Sequence, residues 1–269
     1  MKKNKLWIIV LAVVLVAAIA AAVVLLTKPA EKKTGLDAIR EKGTLVIGME
    51  GNWSPWTYHD DSGALTGLEY EIGNLIAEGL GVKADFQEAP WDALLAGVDA
   101  GRFDIICNGV GYTEERAKSY SFTTPYVYSN KVLVVAEDND EIKSVDDLKG
   151  KKTANSASST YAALAEEYGA TLVPVDTLGE TMDMIVQGRV DATINAQFSV
   201  ADYLKEHPDA KIKTVQVLAG DPVAYPLHIG EEYQTLVDAI NDVLEAARQD
   251  GRLAEISMKY FGVDATKPE

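Results

Sequence analysis

Residues 44–109 read TLVIGMEGNWSPWTYHDDSGALTGLEYEIGNLIAEGLGVKADFQEAPWDALLAGVDAGRFDIICNG, and the alternation within them decides the fold. Residues 44–48 form an apolar run of strand length. Ile72, Leu75, Ile76 and Leu80 recur at helical spacing over 69–80, and Gly81 stops the pattern. Residues 83–88 alternate as a strand, 92–100 repeat the helical spacing, and 104–108 form a further strand. Strand–helix–strand units in series imply parallel sheets with helices on both faces.

The same grammar restarts downstream. Residues 130–136 and 151–154 read as strands. A helix over 158–168 carries Tyr161, Leu164, Ala165 and Tyr168 on one face, and 172–175 is a strand. Leu178, Met182, Ile185 and Val186 mark another helix, followed by a strand over 191–195. The end is helical, through Leu236, Ile240, Val243, Leu244 and Ala247 and then residues 251–260. Two α/β runs that part near Ser129 and rejoin near Tyr225 predict two lobes with a cleft between them. The expected boundaries are 44–128 for lobe 1, 129–224 for lobe 2, and 225–269 for the returning part of lobe 1. A linker over 29–43 includes a short helical pattern (Leu36, Ile39) that ends at Gly43.

Neither a Walker loop nor a Gly-x-Gly-x-x-Gly after a strand is present. The three histidines, His59, His207 and His228, are scattered, and no His/Cys spacing suits a metal. No cofactor is implied.

Lys2, Lys3 and Lys5 precede an apolar run over residues 6–26. As a helix that run is about 31 Å long, enough to cross a hydrocarbon core of about 30 Å. Small-x-small sites such as Ala18-Ile19-Ala20 allow a cleaved signal. However, Val23-Val24-Leu25-Leu26 continues the apolar run, so residues 1–28 are expected to remain as an anchor. Either way the body is exported. Cys107, the single cysteine, lies far from this run and within an apolar strand, which predicts a buried, inert thiol. Beyond residue 35 the chain holds 19 Lys and Arg against 40 Asp and Glu, a formal charge of −21. That argues against nucleic acid or anionic lipid as a partner of the body.

Seven segments in order resemble the family-3 bacterial solute-binding proteins, the polar amino-acid binders of ABC importers. They are Glu50-Gly51-Asn52-Trp53-Ser54-Pro55-Trp56; Gly67-Leu68-Glu69-Tyr70-Glu71-Ile72; and Trp91-Asp92 through to Gly101-Arg102-Phe103-Asp104. Then come Asn108-Gly109-Val110-Gly111-Tyr112-Thr113-Glu114-Glu115-Arg116; Asp147-Leu148-Lys149-Gly150-Lys151; Gly188-Arg189-Val190-Asp191-Ala192; and Lys259-Tyr260-Phe261-Gly262. The resemblance covers about residues 36–265. It implies a two-lobed periplasmic-binding-protein type II (Venus-flytrap) fold with two hinge crossovers. It also implies a monomer that hands a small polar amino acid, cystine-like by its Glu-Gly-x-aromatic loop, to an ABC permease without chemistry.

The site follows residue by residue. Arg116 offers a planar fork that fits a carboxylate bidentately. Ser159 and Thr160 open a helix after a strand, so their hydroxyls and free N–H groups suit the same anion, besides serving as a plain cap. The resemblance places Trp53 and Trp91 around the ligand's side chain and Glu50 against its distal group. Asn108, Gly109 and Gly111 lie in the carboxylate-binding segment. The chain departs from the family where related proteins hold an aspartate for the α-ammonium, because Ala196 stands there. Gly111 stands where serine is common. The ammonium is then left to the Gly109 carbonyl, Gln197 or Glu50. Two rival readings use the same fold: a dehydratase of cyclic dienyl acids with Glu50 as proton donor, and a ligand sensor acting through another membrane protein.

Overall fold

The computed structural model describes residues 34–268, and the anchor expected over residues 1–28 lies outside them. Among the described residues no helix is long and apolar enough to cross a membrane. In chain order the main elements of the first half are α1 Gly35–Lys42, β1 Thr44–Met49, α2 Leu68–Leu80, β2 Lys83–Glu88, α3 Trp91–Asp99, β3 Ile105–Ile106 and β4 Tyr120–Phe122. There follow β5 Lys131–Ala136, β6 Lys152–Asn155, α4 Thr160–Glu167, β7 Thr171–Pro174, α5 Leu178–Val186, β8 Ala192–Ala196, α6 Gln197–Glu206 and β9 Ile212–Leu218. The chain closes with β10 Pro226–His228, α7 Gln234–Gln249 and α8 Arg252–Phe261.

The strands form two five-stranded sheets, ordered β2-β1-β3-β10-β4 and β7-β6-β8-β5-β9. Each sheet is buried on both faces, which explains the unbroken apolar runs. In β1, Leu45, Ile47 and Met49 face a core built with α2 and α7, while Val46 faces the core of α3. In β5, Val132 and Val134 pack against α5, and Leu133 and Val135 pack on the opposite side with Leu148 and Ala165.

The sheets are mixed rather than wholly parallel. β1 runs parallel to β2 and β3, but β10 is antiparallel to both β3 and β4. Likewise β5 is antiparallel to β8 and β9. The antiparallel strands flank the two passages of the chain between the sheets, where it enters or leaves a sheet without a helical crossover to reverse it. Those passages pair with each other: Val127 lies opposite Val223 and Tyr128 opposite Pro222 in an antiparallel ladder.

Glu69, in the first turn of α2, ties both passages to lobe 1. It is fully buried, and its carboxylate accepts from the Tyr126 hydroxyl, from Tyr225 Oη at 2.9 Å and from Gly109 N at 2.5 Å. Burial pushes its carboxyl up to about 7, partly offset by these donors. The Tyr126 and Tyr225 rings stack at 4.1 Å. A second seam joins the lobes, with Phe198 of α6 stacked on Phe261 of α8 at 4.0 Å and Phe261 meeting Trp56 edge-on.

Candidate ligand-binding cleft

Between the two sheets lies a cleft of about 800 Å³, measured with its open mouth. Of the residues expected at the site, Glu50, Trp53, Trp91, Gly109, Gly111, Arg116, Ser159 and Thr160 line it. Asn108 and Gln197 do not. Asn108 is fully buried behind Glu50, where its Oδ1 accepts from Glu50 N at 2.8 Å and its Nδ2 donates to Glu50 Oε2 at 2.7 Å. It therefore positions Glu50 instead of meeting a ligand. Gln197 opens α6 outside the lining, its N–H donating to Asn130 O at 2.9 Å.

The lobe 1 wall is built from strand ends. β1 delivers Glu50, and the loop after it delivers Trp53, whose ring stacks on Trp56 at 5.3 Å with planes 7° apart. Trp56 is only 1% exposed, so it backs Trp53 and adds an edge to the cleft. Both rings lie over the turn after β3. Gly109 there has φ +58°, and a Cβ on it would stand 2.7 Å from the Trp53 ring. A glycine is required on both counts.

Arg116 begins a short turn after the Thr113 hydroxyl accepts its N–H at 3.1 Å. Its Nη1 donates to Gly111 O at 2.9 Å, and its Nη2 reaches across to Ser158 O of lobe 2 at 3.2 Å. The guanidinium lies 5.4 Å from the centre of the Trp91 ring, within cation–π range. Burial holds its pKa below the ordinary value, offset by the Asp221 carboxylate nearby. An arginine remains charged under such a shift, so the cleft keeps a fixed cation.

Lobe 2 contributes two helix N-termini. Ser159 caps α4, its Oγ accepting from Ala162 N at 3.1 Å. Thr177 caps α5, its Oγ1 accepting from Glu180 N at 3.2 Å, and Asp176, Thr177, Leu178 and Thr181 all face the cleft. Just before α4, Ser158 N and Oγ donate across the cleft to Asp92 Oδ1 of α3, at 2.9 and 2.6 Å. Ser54 Oγ donates to Asp202 Oδ2 of α6 at 2.6 Å. These bonds hold the lobes together in this structure.

Electrostatically, the lining holds the cations Arg116 and Lys131 and the acids Glu50, Asp176 and Asp221. Burial raises the Glu50 carboxyl to about 7; Asn108 lowers it, while Asp92 and Asp176 push it further up. Lys131 Nζ stands 2.9 Å from Asp221 Oδ2. Lys131, Asp176 and Asp221 join the lining with no sequence motif to mark them, and Tyr161, on the apolar face of its helix, lines it too. Thr177 carried a readable signal as a polar residue ahead of an apolar helix; Asp221 lies in the second passage between lobes, with no motif around it. Ala196 is 1% exposed, and its N–H donates to the Asn195 side chain at 2.8 Å. Among the described residues no group of three or more His, Cys, Asp or Glu is placed to hold a metal ion. Cys107 is buried, and burial pushes its thiol well above the ordinary range.

The two-lobed α/β fold with this cleft defines a solute-binding clamp. The profile of bacterial extracellular solute-binding proteins, family 3, matches residues 45–263, and the chain belongs to that family. It is 45% identical over 233 residues to a probable amino-acid ABC transporter-binding protein of Haemophilus influenzae, covering 86% of this chain and 90% of that one. Among solved structures, an ancestral arginine-binding protein bound to glutamine superposes with a TM-score of 0.77 at 32% identity, over 82% of this chain and 98% of that one. The L-cystine solute receptor of Neisseria gonorrhoeae, unliganded and open, is 38% identical over 87% of this chain and 99% of that one, with a TM-score of 0.58.

Proposed function

We propose that this chain is the extracytoplasmic substrate-binding component of an ABC importer and captures a polar amino acid, with an L-cystine-like ligand as the best fit. The observation that carries the reading is the place of Arg116. Its guanidinium spans the cleft from Gly111 O to Ser158 O, beside the Ser159-capped start of α4, so a ligand carboxylate would be gripped by both lobes at once. A clamp that closes on its ligand needs such a shared contact.

Cystine is favoured by the doubled polarity of the lining. Such a ligand carries two carboxylates and two ammonium groups. The cleft supplies the Arg116 cation, two helix N-termini and three acids, with Trp53 and Trp91 to enclose a disulfide. The sulfur–aromatic match and water exclusion fit that role. The L-cystine receptor's 38% identity supports the same ligand. Its lower TM-score beside the glutamine-bound structure's 0.77 fits a closed arrangement of the lobes here.

In this reading the lobes are residues 44–128 with 225–269, and 129–224, hinged at the paired passages Val127–Tyr128 and Pro222–Val223. The closed clamp acts as a monomer, docks on its permease, and is tethered by an uncleaved N-terminal helix. The role is capture without catalysis.

The test is isothermal titration of the full chain, freed of co-purified ligand by unfolding and refolding, with L-cystine and the twenty common amino acids. Selective saturable binding of one polar amino acid is expected; no binding of any of them refutes the reading. One observation favours a second reading, the raised carboxyl of Glu50, which suits a proton donor in a dehydratase. Absence of water release from cyclic dienyl acids removes it.

A further inference from the structure

The cleft's weak point as an amino-acid site is the α-ammonium. Its three N–H donors must be met once the lobes exclude water, and a buried unpaired cation is costly. Ala196 offers no side-chain acceptor, and the amide oxygen of Asn195, which also lines the cleft, already accepts from Ala196 N at 2.8 Å and brings no negative charge to a buried cation. The ammonium and carboxylate of an amino acid hang on one carbon, so the acceptor has to stand close to Arg116. Of the three lining acids, Asp221 acts on Arg116 electrostatically. Glu50 is held by Asn108, and its acidic neighbours are Asp92 and Asp176.

Three further observations converge on Asp221. First, Lys131 Nζ pairs with its buried Oδ2 at 2.9 Å, while among the described residues no donor is placed on Oδ1. A carboxylate has about four acceptor positions, so capacity remains for a second cation. Second, Lys131 is itself 8% exposed and anchored at the start of β5, which fixes the carboxylate at the cleft wall. Third, a Cβ built on Gly111 would stand 3.1 Å from both Cβ and Oδ2 of Asp221. The absent side chain at Gly111 leaves the room that the Asp221 side chain fills, while the Gly111 carbonyl holds Arg116.

We propose that Asp221, seated in the space beside Gly111 and anchored by Lys131, is the acceptor for the ligand's α-ammonium and makes the site selective for α-amino acids. This rests on the amino-acid reading of the cleft and deepens it. The carboxylate contact (Arg116) and the ammonium contact then lie side by side at the hinge end, because Asp221 directly precedes the paired residues Pro222 and Val223. Ligand capture thereby draws on the strand that joins the lobes.

The test uses the full chain, stripped of ligand, and isothermal titration with L-cystine, L-glutamine and 3,3′-dithiodipropionate, the cystine analogue without ammonium groups. Asp221→Asn should weaken the amino acid that binds the wild type by about 100-fold or more, the scale of removing one partner from a buried ion pair. It should change dithiodipropionate binding by less than about threefold. Asp221→Asn also orphans Lys131, so the double variant Lys131→Met/Asp221→Asn is measured alongside. Persistent loss in the double variant is expected; recovery of affinity there would show that the single variant acted through the stranded lysine, and would overturn the proposal. Gly111→Ser should weaken the same amino acid by crowding Asp221. If the wild type binds an amino acid and Asp221→Asn keeps that affinity within about threefold, the assignment of Asp221 falls while the cleft reading stands. If the wild type binds neither probe amino acid nor any of the twenty, both fall together.

Discussion

Replacing Glu69 by glutamine separates the fold's buried acid from its geometry. The carboxyl is fully buried beneath Tyr126 and Tyr225, and its pKa moves from 4.5 to about 7, chiefly through desolvation. In the unfolded chain it titrates near the ordinary value. Below about pH 4.5 both states hold the proton, and the group gives no pH dependence. Between about 4.5 and 7 the folded chain holds a proton that the unfolded chain has released, so stability falls as pH rises. At about 1.4 kcal/mol per unit of displacement, the decline across that window is about 3 kcal/mol. Glutamine keeps an acceptor oxygen for Gly109 N and Tyr126 Oη, its amide N–H can donate to Tyr225 Oη, and it does not titrate. Urea unfolding of both proteins at pH 4.5, 5.5, 6.5 and 7.5 measures the difference directly. The stability of wild type relative to Glu69→Gln should fall by about 3 kcal/mol between the ends of that series. Glu50, also raised to about 7, titrates in the same window but is common to both proteins and cancels in the difference. A difference that stays constant within about 0.5 kcal/mol across the series would refute the desolvation argument.

Arg116→Ala should abolish binding of the amino acid identified by titration while leaving the unfolding midpoint almost unchanged, since the side chain is half-buried at the cleft rather than in a core; affinity kept within about twofold would misplace the carboxylate site. Glu50 should add pH dependence to binding. With its carboxyl near 7, a ligand whose distal ammonium requires the ionised form should bind about tenfold tighter at pH 8 than at pH 6. Glu50→Gln should flatten that profile, and an unchanged slope in the variant would assign it to another group.

The elements that could be read from sequence alone are those whose two faces are both buried or whose helix has one clear stripe. β1 and β5 carry unbroken apolar runs after their first residue because Leu45 and Val46, like Val132 and Leu133, enter different cores. β4 and β10 are three residues each, too short to show a period, so the antiparallel half of the first sheet was invisible. β9 shows no strand period in sequence because it is an edge strand with a break between Thr214 and Gln216 and exposed side chains along it. α6 buries only Ser199 and Val200, and leaves no apolar stripe to recognise.

The site divides along the same line. Residues borne on strand ends and helix starts within a compact motif, such as Glu50, Trp91 and Arg116, could be assigned because local sequence determines where they point. Asn108 neighbours Gly109 along the chain, but its side chain is buried and bonded to Glu50 and does not line the cleft. Asp221 is the converse case. It follows Gly220 in a passage with no period. It reaches the cleft only because the two passages pair as a ladder, which brings it against Gly111 from the far end of the chain. A side chain lost at Ala196 is visible in one line of sequence. Its replacement is visible only when the space left at Gly111 and the carboxylate that fills it are seen together, since neither residue alone departs from what a loop tolerates.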